Sequence, residues 1–240
     1  MSETTLIILF ALLPAAGNFM GALIAESITV TKKTVNRALH AAAGIMLAIV
    51  SIEVMPTALQ QIPPWLTAFM FMVGGCLYLL VNTWIKSWQN TQVSTGAWMT
   101  YVAVAADLIG DGLLIGTGGA VSSSLAFILA LGQILADIPE GFAVIGVFRD
   151  QGMKRAQRLL LSASFTIMVV GSAILSYLLL RDLDNEIKTA SLVCVAGLFC
   201  LAAVEDMLGE AHDTIEDTHW SSISFLGGFS LFVIVAGYLG

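Results

Sequence analysis

Long apolar runs separated by short polar breaks dominate the chain. Eight such runs stand out, at about 5–30, 38–60, 65–85, 97–119, 123–148, 156–180, 187–208 and 221–239. Each is close to or above the ~20 residues that a helix needs to cross a hydrocarbon core. The runs lack the alternation of apolar and polar positions that marks a barrel strand. The pattern predicts an all-α integral membrane protein with eight transmembrane helices in a single domain, 1–240, undivided by any linker.

Composition agrees. Only 11% of the residues are charged, against about 25% in a soluble domain. The first residues, Met1-Ser2-Glu3-Thr4-Thr5, lack the basic stretch of a secretory signal, so the first run is expected to remain as a helix. Cys76, Cys194 and Cys200 all fall inside apolar runs, where an odd count reads as packing rather than as disulfides. The net charge of −7 says little about partners, because much of the acid lies within the runs or in one loop; no nucleic-acid partner is expected. The expected partners are membrane lipid and whatever the intramembrane acids bind.

Lysine and arginine set the orientation. Lys32, Lys33, Arg37, Lys86, Arg149, Lys154, Arg155 and Arg158 fall in loops on one side, and only Arg181 and Lys188 on the other. The richer side is expected to be cytoplasmic, which puts both termini outside, in a bacterial inner membrane. Trp65, Trp84, Trp88, Trp98 and Trp220 lie near run ends, as interfacial anchors should. Two small-xxx-small spacings, Gly17 to Gly21 and Gly112 to Gly116, predict close helix contacts. Packing inside the bundle is the expected use, with a homodimer seam as the alternative.

Charge within the runs changes the picture most. Asp107 and Asp111 are four apart in the fourth run, and Asp137 and Glu140 three apart in the fifth, so each pair shares a helix face. An ionised carboxylate at the bilayer centre costs about 2.5–3.5 kcal/mol, roughly 10–14 kcal/mol for four. No lysine or arginine lies mid-run to offset them. The balance must come from protons or a bound cation. Pro139, between the fifth-run acids, predicts an interruption of that helix beside them. In the second run, His40 lies near the start, Met46 near mid-depth and Glu53 further on, before Met55-Pro56. Met46 alone would be core filler; Glu53 needs a partner or water and could line an entrance. The seventh run ends with Glu205, Asp206, Glu210 and His212, followed by Asp213, Glu216, Asp217 and His219. This stretch reads either as a collector for an emerging cation or as a solvated acidic loop.

Asp107-Leu108-Ile109-Gly110-Asp111-Gly112 and Ala136-Asp137-Ile138-Pro139-Glu140-Gly141 resemble the fourth- and fifth-helix motifs of the ZIP (Zrt/Irt-like) metal transporters, His-Asn-x-x-(Asp/Glu)-Gly and Gln-(Asp/Asn)-x-Pro-Glu-Gly. Ala43 to Leu47 and Glu205 to His212 resemble the corresponding pieces of the second and seventh helices. The resemblance implies a ZIP-like bundle with the fourth and fifth helices at its centre. It implies a transporter, not an enzyme, moving Zn²⁺, Fe²⁺ or Mn²⁺ as substrate into the cytoplasm, with no cofactor. Asp107, Asp111 and Glu140 would form the metal site, with Met46 and Asp137 as further candidates. Glu53, Glu205, Asp206, Glu210 and His212 would line the route. The chain departs from the family where Asp107 replaces the motif His, Leu108 the Asn and Ala136 the Gln. The sixth run, with Met168-Val169 at the matching position, lacks the acid that a second adjacent metal would use. A site rich in oxygen suits harder ions such as Mn²⁺ or Fe²⁺, although zinc also accepts carboxylates.

Two other readings compete. One is a ZIP-like scaffold or metal sensor that no longer transports. The other is an intramembrane aspartyl protease, although the Gly-x-Gly-Asp and Tyr-Asp signatures expected of that class are absent. The orientation is directly testable. A Lys154→Cys variant should react with impermeant maleimide from the cytoplasmic face only; labelling from outside would invert the assignment.

Overall fold

The computed structural model describes residues 2–28, 30–91, 96–214 and 218–239, with the side chains of 86, 88–91, 96–97, 99, 210, 213–214 and 239 left aside. Trp88, Lys86, Glu210, Asp213, Glu216 and Asp217 therefore lie outside the described side chains. Among the described residues there is no strand. Eight helices are long and apolar enough to cross a membrane. They are α1 (Glu3–Ser27), α2 (Lys32–Gln61), α3 (Pro64–Thr91), α4 (Gly96–Val121), α5 (Ser123–Asp150), α6 (Arg155–Leu180), α7 (Asn185–Leu208) and α8 (His219–Leu239). A further turn and a half, Gly209–Thr214, prolongs α7. Side-chain oxygens start three of them, Ser2 accepting from the Thr5 N–H, Thr31 from that of Thr34 and Ser122 from that of Leu125, as N-caps do.

Two helices contain a widened π turn. In α2 it covers Ile49–Val54, and the Met55 N–H bonds to the Val50 carbonyl five residues back. Pro56 follows directly; it has no N–H to offer the Ile52 carbonyl, and the wider turn takes up the break in the ladder. In α7 the π turn covers Ala203–Leu208, where no proline marks it. Pro139 does not interrupt α5, which runs unbroken past it. The expected break at mid-depth is thus absent from α5. The irregular turns lie in α2 and α7 instead, and they carry Glu53, Glu205 and Asp206.

The helices sort into two packed sets. In one, α5 lies along α1 and α6 packs on α4 and α1; in the other, α8 packs on α2 and α3 on α7. The sets meet where α2 touches α5 and where α4 touches α7, and α4 and α5 also touch each other. Glycine makes these seams close. A Cβ at Gly17 would stand 2.7 Å from the Ile134 carbonyl oxygen, and one at Gly21 would strike that of Ile138; Gly141 faces the Asn18 carbonyl in return. Gly112 and Gly116 abut α6 at Val169, Ser172, Ala173 and Ser176. Both small-xxx-small spacings are therefore used inside the bundle.

The ends are tied by polar contacts. At the end bearing the 31–37 and 149–158 loops, Arg158 donates to both oxygens of Glu26 at 2.6 and 2.8 Å. Arg149 and Arg155 stand 3.8 and 3.7 Å from the same carboxylate. At the opposite end, the Tyr177 hydroxyl donates to Glu3 and the Thr189 hydroxyl to Gln61.

Gly21→Leu should wedge α1 from α5 and destabilise the protein by about 1–3 kcal/mol or more, the usual cost of overpacking. Gly227→Ala, whose Cβ would meet nothing within 4 Å, should be close to neutral. Thermal unfolding in detergent compares them, and equal midpoints would show that the α1–α5 seam is not tight.

Candidate metal centre

The polar face of α5 is built by spacing. Gln133, Asp137 and Glu140 fall at i, i+4 and i+7, one stripe of a helix. All three are buried, at 0%, 2% and 5% exposure. Across from them α4 supplies Asp111, also 2% exposed. One carboxylate oxygen from each of Asp111, Asp137 and Glu140 can be chosen so that all lie within 4.8 Å of one another. Two ionised groups at that distance repel by about 3–4 kcal/mol at an effective dielectric constant of about 20. The cluster is stable only with protons or a cation among its oxygens.

Gln133 fixes Asp111. Its Nε2 donates to the Asp111 main-chain carbonyl at 3.0 Å and to Asp111 Oδ1 at 3.2 Å. Only the amino end of the amide can face two acceptors, so Oε1 remains an acceptor. Among the described residues, Oε1 of Gln133, Oδ2 of Asp111 and Oδ2 of Asp137 have no hydrogen-bond partner. All three are oxygens with lone pairs to give. Buried polar atoms are normally satisfied, and a set of unsatisfied acceptors calls for a positive species rather than another hydrogen-bond acceptor. The sequence pattern alone does not single out Gln133. The available signal was an amide in a buried span on the stripe of Asp137 and Glu140.

The remaining candidates separate in space. Asp107 is half-buried one turn along α4 from Asp111, outside the three-acid cluster. It lines a cavity of about 290 Å³ together with Glu140, Glu205, Asp206 and Gly209. Glu140 belongs to the cluster and to this cavity, so the two are continuous through one side chain. Glu205 and Asp206, on the π turn of α7, form the far acidic wall. A second cavity of about 340 Å³ between α3, α4 and α7 shares Asp107 and Asp206 but is otherwise mainly apolar. There Asn82 donates to the Tyr78 hydroxyl at 2.9 Å, on the same lining as Asp206. Met46 is fully buried in the apolar core with Ala136, Phe199 and Met207. Glu53 is half-buried on the α2 π turn and is not among the lining residues of either cavity. His212, beyond the π turn of α7, meets His40 of α2, their rings 5.9 Å apart. The Glu210 side chain lies outside the described residues.

No family model matches the chain, and no curated protein matches it.

Gln133→Leu should weaken divalent-cation binding about 10–100-fold, the usual effect of losing a group that orients a ligand, while the protein stays inserted. Calorimetric titration with Mn²⁺ or Zn²⁺ checks it; unchanged affinity would reduce Gln133 to a packing residue.

Proposed function

We propose that the protein is a divalent metal transporter of ZIP-like plan, carrying a Zn²⁺, Fe²⁺ or Mn²⁺ ion through a carboxylate site between α4 and α5. The observation that carries this reading is the buried group of Asp111, Asp137 and Glu140, within 4.8 Å of one another, with acceptor oxygens of Asp111, Asp137 and Gln133 lacking partners. A metal ion answers both the mutual repulsion and the unfilled lone pairs. Glu140 then hands the ion towards Asp107, Glu205 and Asp206 along the acidic cavity. That cavity leads towards the arginine- and lysine-rich end, the cytoplasmic end on the charge rule. Inward travel is what the ZIP resemblance implies, across a bacterial inner membrane with both termini outside. Met46, packed in the apolar core, and Glu53, outside the lining of both cavities, take no part in this route.

Three carboxylates and an amide at one point fit a cation better than a protease dyad, which needs two acids and an opening for a peptide chain. The metal is substrate, and no catalytic role is proposed. A hard, anionic donor set favours Mn²⁺ and Fe²⁺ relative to an imidazole site, although intrinsic affinity still rises towards Zn²⁺.

Uptake of Mn²⁺ and Zn²⁺ into proteoliposomes tests the reading. Glu140→Gln and Asp137→Asn should each lower uptake at least about tenfold, the order expected for a lost ligand or its support. Asp107→His should raise zinc uptake relative to manganese, because imidazole suits zinc. Metal binding without uptake in the wild type would favour a sensor or scaffold, and wild-type uptake in both acid variants would remove the cluster from the route.

A further inference from the structure

Close in sequence to two residues that line the acidic cavity stands a second group of metal-ligating side chains, neither of which lines it. Leu39 and Gly209 both line it. The residue after Leu39 is His40, and His212 follows Gly209 by three positions, most of a helical turn. The two rings approach edge to face, with centroids 5.9 Å apart and planes at 76°. Two imidazoles on one ion, each with a metal–nitrogen bond of about 2.0–2.1 Å, bring their centroids to within roughly 6 Å.

The surroundings prepare His40 for that role. Its Nδ1 lies 2.8 Å from the Asn36 carbonyl oxygen. A carbonyl can only accept, so Nδ1 carries the proton and Nε2 the lone pair in the neutral ring. This is the arrangement by which an outer hydrogen bond orients a metal-binding imidazole. Asn36 is itself clamped. Its Nδ2 donates to the Ala211 carbonyl at 2.9 Å, and its Oδ1 accepts from Ser221 at 2.6 Å. The residue that holds the His40 ring is thereby bonded to the residue preceding His212. One network holds the His40 ring and the backbone beside His212, joining α2, α8 and the Gly209–Thr214 extension of α7.

We infer that His40 and His212 form a second cation site, close in sequence to residues that line the acidic cavity, that takes a borderline transition-metal ion through two imidazole nitrogens. Water completes the coordination. As a station on the route, the site rests on the transport reading above; as a binding site, it rests only on these two histidines and their supports. It also narrows the class of substrate. Mg²⁺ and Ca²⁺ prefer oxygen donors, and imidazole selects nickel, copper, zinc and their neighbours.

Cu²⁺ added to untagged protein in detergent, followed by pulsed electron paramagnetic resonance, tests the site. Echo modulation from the remote ring nitrogen reports imidazole ligation and ignores carboxylates. The wild type should show two imidazoles on one copper, unaffected by a large excess of Mg²⁺. His212→Gln, which alters an exposed ring, should leave one imidazole and weaken copper binding at least tenfold. His40→Gln should do the same. His219→Gln, which changes the third histidine of the chain, should leave the spectrum as it was. An imidazole-free wild-type spectrum, or an unchanged one in His212→Gln, overturns the proposal even if His40→Gln fails to fold. Asp137→Asn with Glu140→Gln should keep the two-imidazole signal, so failure of the carboxylate site and failure of this one read out separately.

Discussion

Negative charge held in a medium that cannot solvate it is the constraint on which the molecule depends. Asp111, Asp137 and Glu140 repel one another and would each be better placed in water. Keeping them together requires α4 and α5 to be fixed from outside the cluster, because nothing within it supplies attraction. The glycine seams do this. α5 is held along α1 at Gly17, Gly21 and Gly141, and α4 along α6 at Gly112 and Gly116. Close backbone approach maximises dispersion contacts in lipid, where apolar side chains gain little from leaving their surroundings. Gln133 adds a local restraint, binding Asp111 at its carboxylate and its backbone.

The division into two packed sets gives the acids different tasks. Asp107, Asp111, Gln133, Asp137 and Glu140 all belong to α4 and α5, in the set with α1 and α6. Glu53, Glu205, Asp206, His40 and His212 belong to α2 and α7, in the set with α3 and α8. The acidic cavity is thus bounded by one set on the Glu140 and Asp107 side and by the other on the Glu205 and Asp206 side. The π turns sit in the second set only. A π turn rotates the residues beyond it relative to those before it, and in α7 the residues on it are the two acids that face Asp107 across the cavity.

Much of the architecture was legible in the sequence because lipid enforces a simple grammar. Eight apolar runs gave eight helices to within a few residues, since every backbone polar group in the hydrocarbon must be satisfied within its own helix. The glycine spacings were legible for the same reason. Asp137 and Glu140 could be placed on one face from spacing alone. Their meeting with Asp111 could not, because it depends on how α4 and α5 rotate against each other. Asp107 shares a stripe with Asp111 yet stands outside the cluster, a difference of one turn that no one-dimensional pattern encodes. Pro139 misled for a related reason. A proline removes one hydrogen bond, and whether the helix then breaks depends on its neighbours. Gln133 and Glu26 were missed because a single polar residue in a run carries no period of its own; only their three-dimensional partners, Asp111 and Arg158, reveal what they do.

The glycine seams also determine how freely this chain can drift. At Gly21, Gly44, Gly74, Gly141, Gly197 and Gly228 the neighbour is a backbone carbonyl or its peptide unit, which no compensating side-chain change can move aside. A methyl there cannot be rescued by trimming a partner, because the partner has nothing to trim. The outward faces of α3 and α8, from Phe69 and Leu80 to Leu226 and Ile234, are exposed to their surroundings and require only that a residue be apolar. Substitutional freedom is therefore sharply uneven along each helix. Over generations the lipid-facing surface can be rewritten almost at will, while a few positions with no side chain at all carry the inheritance of the fold.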